Sequence, residues 1–316
     1  MKKIALAAAI AAAVSVPATA NVSKTLAAPS GSPNADQIME QVYFVNHFYA
    51  VKNFSIEDQG DKITVIINKA PDSKPTTITV ERHLNNEYDD GTVQAMDLAI
   101  FRSGKLDGTG MLITDYVDDA KSQLYQAWIP AIRKVRRFAQ PAHDDAWGGT
   151  EFSFGDVTLR KPFHETHELM GTETFKGCLG SLSMAEDEWT RWTSAVRDYI
   201  KADCGPDGKQ VYKVKSTTKF ENWWYDTRIS YIDTKTFADY RTEYFKGGEK
   251  IKELDRSWRD MGGVDDVRGQ YWGYWYGKNL KTGYETMSVI PDEVAKWNTG
   301  NPSSMWSERT LRKIKR

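Results

Sequence analysis

Between Lys62 and Ile290 the chain keeps returning to β-branched runs of period two that break off at turn residues, and this limits the fold more than any other feature. KITVIIN (62–68), TTITVERH (76–83), DLAIFRS (97–103) and GMLITDYV (110–117) are separated by Pro71-Asp72-Ser73, Asp89-Asp90-Gly91 and Asp107-Gly108. Further on, VTLRK (157–161), VYKVKST (211–217), DTRISYI (226–232), FADYRTEYFK (237–246), KIKELDRSW (250–258), QYWGYWY (270–276) and GYETMSVI (283–290) repeat the pattern. Their turn signals are Pro206-Asp207-Gly208, Asp233-Thr234-Lys235 and Gly247-Gly248. Period-two runs bounded by such clusters read as strands. About a dozen of them without βαβ alternation predict a mainly β (α+β) chain: a strongly curved antiparallel sheet, or incomplete barrel, with covering helices.

Two stretches change period. Asn34 with Gln37 forms a capping box, and Ile38, Val42, Val45 and Tyr49 follow at helical spacing to about Val51. Ser183 with Glu186 is a second box, followed by Trp189, Trp192, Val196, Tyr199 and Ile200 up to Gly205-Pro206, which predicts a helix inserted between strands at about 178–206. Cys178 and Cys204 bracket it and are the only cysteines.

The first residues read as a leader: Lys2 and Lys3, an apolar run Ile4–Val16, and Ala18-Thr19-Ala20 as an A-x-A cleavage site before Asn21. No cysteine stands near that point to take a lipid, so the expectation is a soluble exported protein. The run is shorter than the roughly 20 apolar residues of a membrane span. Export favours a Cys178–Cys204 disulfide, closing a loop of about 27 residues for roughly 3 kcal/mol, over a catalytic thiol. Residues 21–33 are small and polar, a lead-in without fold, and 34–316 reads as one domain. Of 42 Lys and Arg, two fall in the leader, leaving 40 against 43 Asp and Glu. That balance excludes a general nucleic-acid role. Eleven Trp supply ample core and leave rings over.

The richest stretch is 123–160. Leu124–Ile129 and Ile132–Ala139 flank Pro130-Ala131 as a hairpin that lays Trp128, Val135 and Phe138 beside Arg133, Lys134, Arg136 and Arg137. Gly148-Gly149 then permits a bend, after which Phe152 and Phe154 point to one side of a strand. A Pro-containing strand, then KVRR, then a bend followed by (D/E)-F-(S/T)-(F/Y)-x-D resembles the LolA/LolB-like outer-membrane lipoprotein-sorting family, in its longer relatives. Here the matching residues are Trp128, Pro130, Lys134, Val135, Arg136, Arg137, Gly149, Glu151, Phe152, Phe154 and Asp156, with echoes at Asp107-Gly108-Thr109, Tyr225–Arg228, Tyr231–Asp233, Arg241–Phe245 and Trp306–Arg309. The inserted helix departs from the family pattern, in which a short connection suffices.

That resemblance implies a LolA-like domain in the periplasm: a monomeric carrier or chaperone, without cofactor or catalysis, shielding the acyl chains of a lipoprotein or other lipid. It also implies an inner-membrane RND-type transporter as donor and an outer-membrane acceptor. The expected ligand face is Trp128, Phe138, Phe152, Tyr231, Tyr244 and Trp272, chosen by alternation, which separates faces without saying which is inward. Arg133, Lys134, Arg136 and Arg137 are either a docking rim for an acidic partner or a lipid head group, or the polar face that a half-buried strand requires anyway.

Other chemistry is weaker. His164-Glu165-Thr166-His167-Glu168 lacks H-E-x-x-H spacing, and in an extended stretch His164 and His167 face opposite sides, so no metal site is expected. His47, His83 and His143 do not converge. Asp118-Asp119 and Asp144-Asp145 read as solvated turn residues, and no G-x-S-x-G or phosphate loop accompanies them. Tyr271–Tyr276 puts rings on both faces of one strand, so helices or a ligand must cover the surplus.

Overall fold

The computed structural model describes residues 22–314 apart from 119, 158 and 159. The leader and its cleavage point, and Asp119 of the Asp118-Asp119 pair, lie outside the described residues. Fifteen strands form one antiparallel sheet: β1 (Asn53–Ile56), β2 (Thr64–Lys69), β3 (Thr76–Asn85), β4 (Val93–Phe101), β5 (Gly110–Tyr116), β6 (Leu124–Ile129), β7 (Lys134–Phe138), β8 (Glu165–Thr174), β9 (Gln210–Thr218), β10 (Thr227–Asp233), β11 (Asp239–Lys246), β12 (Glu249–Asp260), β13 (Gln270–Asn279), β14 (Glu285–Val289) and β15 (Ala295–Trp297). Among the described residues four α-helices accompany them: α1 (Ala35–Asn46), α2 (Phe154–Val157), α3 (Arg191–Ala195) and α4 (Glu308–Leu311). The strand order is β7-β6-β5-β4-β3-β2-β14-β13-β12-β11-β10-β9-β8, with β1 joining β3 to β15 off this path. The sheet is curved and open, with β7 and β8 as its ends, as the period-two runs predict.

Alternation gives the sheet two apolar faces. On the outer face Val65, Ile67, Tyr274, Tyr276, Met287 and Val289 meet Leu179, Leu182 and Val196 of the 178–204 segment. Nearer the β7 end, Leu98, Leu112 and Trp128 of that face are covered by Trp306 and Leu311 of the C-terminal segment. On the inner face α1 lays Ile38, Met39, Val42 and Val45 on Val214, Ile232 and Phe237. Aromatic residues of β13 join the inner cluster with Phe48, Phe54, Phe152 and Tyr244. A bulge opposite Ser257/Trp258 turns Trp272 and Trp275, three residues apart, to the same side, their ring centroids 4.8 Å apart.

Cys178 and Cys204 are joined, as expected. The helix expected between them is not continuous: the segment forms a 3-10 turn at Glu186–Glu188, α3 capped by Thr190, and another turn at Arg197–Tyr199. A helix from 183 to 200 would run roughly 25 Å, whereas the bridge holds its flanks at a Cα separation of 4.1 Å, so the segment folds back as a compact cover. Gly180 permits close contact, since a Cβ there would stand 2.3 Å from the Tyr276 ring.

Other expectations need correction. α1 has the Asn34/Gln37 capping box but ends at Asn46, because Phe48 takes a left-handed φ of 56° and turns the chain toward β1. Phe152 and Phe154 are not on a strand; Phe154 opens α2, whose last residue, Val157, was expected to begin the VTLRK strand. Residues 22–33 contain neither helix nor strand, yet Val22 is buried against Tyr43, Phe44 and Tyr49, and the Leu26 carbonyl accepts from Arg268 at 2.8 Å.

The disulfide generates a prediction. Replacing both cysteines with serine should lower the denaturation midpoint by an amount corresponding to roughly 3 kcal/mol, while far-UV circular dichroism keeps its sheet signal and the uncovered Tyr274/Tyr276 face binds a hydrophobic dye. A melt unchanged from wild type would mean that the cover is held by packing alone.

Candidate ligand-binding site

Six successive strands, β5-β4-β3-β2-β14-β13, share one cavity on the inner face. Its lining includes Met111, Ala99, Val80, Ile66, Ser288, Trp272 and Trp275. Six flat strands would span more than 20 Å, so convergence on one space is what curvature achieves. The cavity holds ≈ 70 Å³ and its walls are almost wholly apolar. One ion pair interrupts them: Arg82 forks onto Asp97, with Nε at 2.8 and 3.1 Å from the two carboxylate oxygens, and its guanidinium lies 5.2 Å from the Trp272 ring. Beyond that pair a further ≈ 30 Å³ continues past Ile113 and Val157 to His47 and Gln123.

The lid over this space is the loop that follows β7. Trp147 and Phe152 descend from it into the cavity, and Phe152 meets Trp275 edge-on at 5.5 Å. Gly277 makes the room, because a Cβ there would press on the Phe152 ring at 3.1 Å. The double glycine of the motif turns the chain with φ values of 60° and 78°, which return the loop toward the sheet.

Asp156, at the end of the motif, is the anchor of that loop. Its carboxylate accepts from the Tyr244 hydroxyl at 2.7 Å, from Arg160 at 2.8 Å, from Lys252 at 2.9 Å and from the Ser153 amide at 2.9 Å. Burial alone would raise this carboxyl, but Lys252 and Arg160 outweigh burial and hold it well below the usual range. A second buried pair lies beside it: Arg228 forks onto Glu165, which also accepts from the Tyr225 hydroxyl at 2.8 Å. Burial works against the Glu165 charge, yet Arg228 brings its carboxyl to about 2. Arg256 pairs with Asp239, which Asn46 of α1 also contacts at 3.0 Å. Together these pairs join the lid, α1 and the inner face.

Of the six residues expected on the ligand face, Phe152 and Trp272 line the apolar cavity. Tyr244 is on the same face but is committed to Asp156. Phe138 stands opposite Tyr125 at the open β7 end, 49 % exposed. Trp128 packs on the outer face with Trp306, and Tyr231 lies there beside Phe175, because alternation at those positions runs the other way. Lys134 and Arg136 are exposed, as is Arg133, which makes the turn at φ 49°. Arg137 lies 3.7 Å from Glu308. His167 bonds Ser216 and the Pro162 carbonyl, and the His164 ring faces His143 at 5.7 Å. Among the described residues no group of three or more His, Cys, Asp or Glu is placed to hold a metal. Arg82–Asp97 and Glu165–Arg228 were missed; their signal was charge at inward positions of otherwise apolar strands.

Two buried groups predict the acid response. Burial, with Arg82 and Lys161, lowers His47 from 6.5 to about 3, so the unfolded chain takes a proton that the folded chain refuses, and stability falls as pH drops from 6.5 toward 3. Glu165 is depressed from 4.5 to about 2, so its contribution is complete above pH 4.5 and is lost toward pH 2. Urea midpoints of His47→Gln should slope less than wild type between pH 6.5 and 4.5, the residual slope coming from His143, His164 and His167, which burial also lowers. Glu165→Gln should cost roughly 3–5 kcal/mol at pH 7 by stranding Arg228, and should make the slope below pH 4.5 shallower, the remainder coming from Asp156, whose carboxyl is also held below its usual range. Wild-type slopes in either variant would contradict these assignments.

Comparison with known proteins agrees with this geometry. A family model described only as an uncharacterized protein matches residues 94–196, the segment from β4 through the lid into the disulfide-closed cover. No curated protein matches the chain. Among solved structures, a candidate outer membrane lipoprotein-sorting protein domain from Vibrio parahaemolyticus superposes with a TM-score of 0.63 at 13% identity, covering 88% of this chain and 98% of its own. A DUF1329 family protein from Desulfovibrio piger gives 0.64 at 13% over 89% and 100%. A LolA superfamily protein from Nitrosomonas europaea gives 0.53 at 12% over 88% and 100%. At such identities the likeness establishes architecture, and the architecture is the one that the 123–160 motif implies: the chain has the LolA-like fold of lipoprotein-sorting proteins.

Proposed function

We propose that the protein is a periplasmic carrier that shields the acyl chains of a lipoprotein or another lipid on the inner face of its sheet. The observation that carries this reading is the apolar cavity between β13 and the Phe152 lid. Its ≈ 70 Å³ is small: an apolar cavity of roughly 150 Å³ accommodates benzene, so an acyl chain enters only by displacing the lid. The lid suits displacement. Asp156 pins its far end, whereas Phe152 is held by packing and Gly148-Gly149 provide a pivot. Each methylene transferred to the inner face contributes roughly 0.8 kcal/mol, so ten to twelve of them outweigh the loss of one Phe contact.

Delivery needs a docking surface, and the β6–β7 hairpin offers one. Lys134 and Arg136 project from the end strand beside Ile132 and Phe138, both close to half exposed. An RND-type exporter in the inner membrane as donor and an outer-membrane acceptor complete the proposed route.

Two variants test the reading. Phe152→Ala removes the plug: a carrier should then bind a fluorescent acyl probe more tightly than wild type. A loss of roughly 3–5 kcal/mol with no probe uptake in either protein would make the inner face ordinary core and the chain an interaction module acting through its hairpin. Lys134→Glu with Arg136→Glu should leave the melt within about 0.5 kcal/mol of wild type and slow delivery to acceptor membranes, since exposed charges steer association more than they stabilise. Delivery at the wild-type rate would remove the hairpin from the mechanism.

A further inference from the structure

Between α1 and the inner face lies a second cavity, of ≈ 40 Å³, that differs in kind from the apolar one. Arg160, Arg228 and Arg256 line it against Asp156 and Asp239, three guanidiniums to two carboxylates. The next layer adds one charge of each sign, Glu165 on Arg228 and Lys252 on Asp156, which leaves the excess in place. Glu151 faces Lys252 from the far side, in a separate and more open space that it shares with Lys281. An uncompensated charge is costly in such a site, and natural interiors supply a counter-charge or keep the group wet.

The donors carry a second, independent observation. The Arg160 side chain is 6 % exposed and Arg256 is 4 % exposed, and the Nε–H of each is buried without a hydrogen-bond partner. One other nitrogen of each is committed, Arg160 Nη2 to Asp156 and Arg256 Nη1 to Asp239. Asn46 Oδ1 is buried and unpartnered as well, while its Nδ2 is spent on the Val42 carbonyl and Asp239. Buried polar atoms in a folded chain are nearly always satisfied. Two donors with excess positive charge call for an acceptor that carries negative charge, and one acceptor calls for a water beside it. A volume of ≈ 40 Å³, at roughly 10–15 Å³ per solvent-sized occupant, accommodates both.

We propose that this cavity is a binding site for a small monovalent anion, of halide to formate size, held by the free Nε–H groups of Arg160 and Arg256. The site lies outside the apolar cavity and does not depend on the carrier reading. It ties three elements together: Asn46 comes from α1, Arg160 follows α2 at the end of the lid, and Arg256 belongs to β12. Filling it strengthens the seat of α1 and of the lid on the sheet.

The test compares the whole mature protein in potassium gluconate, whose anion exceeds the cavity, with potassium chloride, bromide and formate at equal ionic strength. The expected result is a saturable rise in melting temperature, about 2 °C or more, with the small anions alone, and its disappearance in Arg256→Gln and in Arg160→Gln. Should those variants fail to fold, crystals grown in bromide decide: an anomalous peak between the two Nε atoms supports the site. Equal melting temperatures in chloride and gluconate, or a cavity holding water only in bromide crystals, would overturn it.

Discussion

Strand β13 cannot be left open on either side. Its Tyr274 and Tyr276 point outward and its Trp272 and Trp275 inward, so this interior strand of the sheet is apolar twice over. Each buried ring removes roughly 150–250 Å² from water. Both faces therefore need covers, and the rest of the chain supplies them by different means. The outer cover is covalently closed by Cys178–Cys204 and packed against Tyr276 at the distance that Gly180 permits. The inner cover is assembled from α1, the Phe48 turn and the Phe152 lid, without a cross-link.

That difference sets where the molecule can move. The inner cover is held to the sheet by ion pairs at its edges and by ring packing at its centre. Asp156 takes four donors from four places in the chain, and Glu165–Arg228 fixes the start of β8 to β10. Removing either partner of such a pair strands a buried charge, so these anchors hold. Phe152 has no comparable tie. The inner face is thus firmly framed and lightly plugged, which is the physical requirement for a surface that must be dry when empty and available when a chain arrives.

Much of this was legible in the residues, and the misses have definite causes. Period-two runs located most of the strands, because one-sided burial writes itself into alternation; β8, an exposed end strand, buries almost nothing and shows no apolar period. Short β1 and β15 pair only with each other and β3, and carry too few residues for a period to show. The Asn34 box located α1, but its end is decided by Phe48 inserting under the sheet, a tertiary contact. The inserted segment has helical spacing and still breaks, since the disulfide holds its flanks together. Alternation told faces apart without orienting them: Trp128 and Tyr231 lie on the outer face and Trp272 lines the apolar cavity, while Phe152 reaches that cavity from a loop to which alternation does not apply. The residues from Gly148 to Asp156 form one continuous stretch: a double-glycine turn, Phe152 over the apolar cavity, and the buried Asp156 carboxylate.

The central claim is that the inner face exists to receive an acyl chain. Native mass spectrometry of the protein purified from the cells that naturally make it addresses this with no choice of probe. The expected result is a population heavier than the bare chain by the mass of an acyl-bearing molecule, released by detergent and diminished by Phe152→Trp, which adds bulk over the cavity. A single species at the mass of the bare chain, in protein that has seen no detergent, would contradict it.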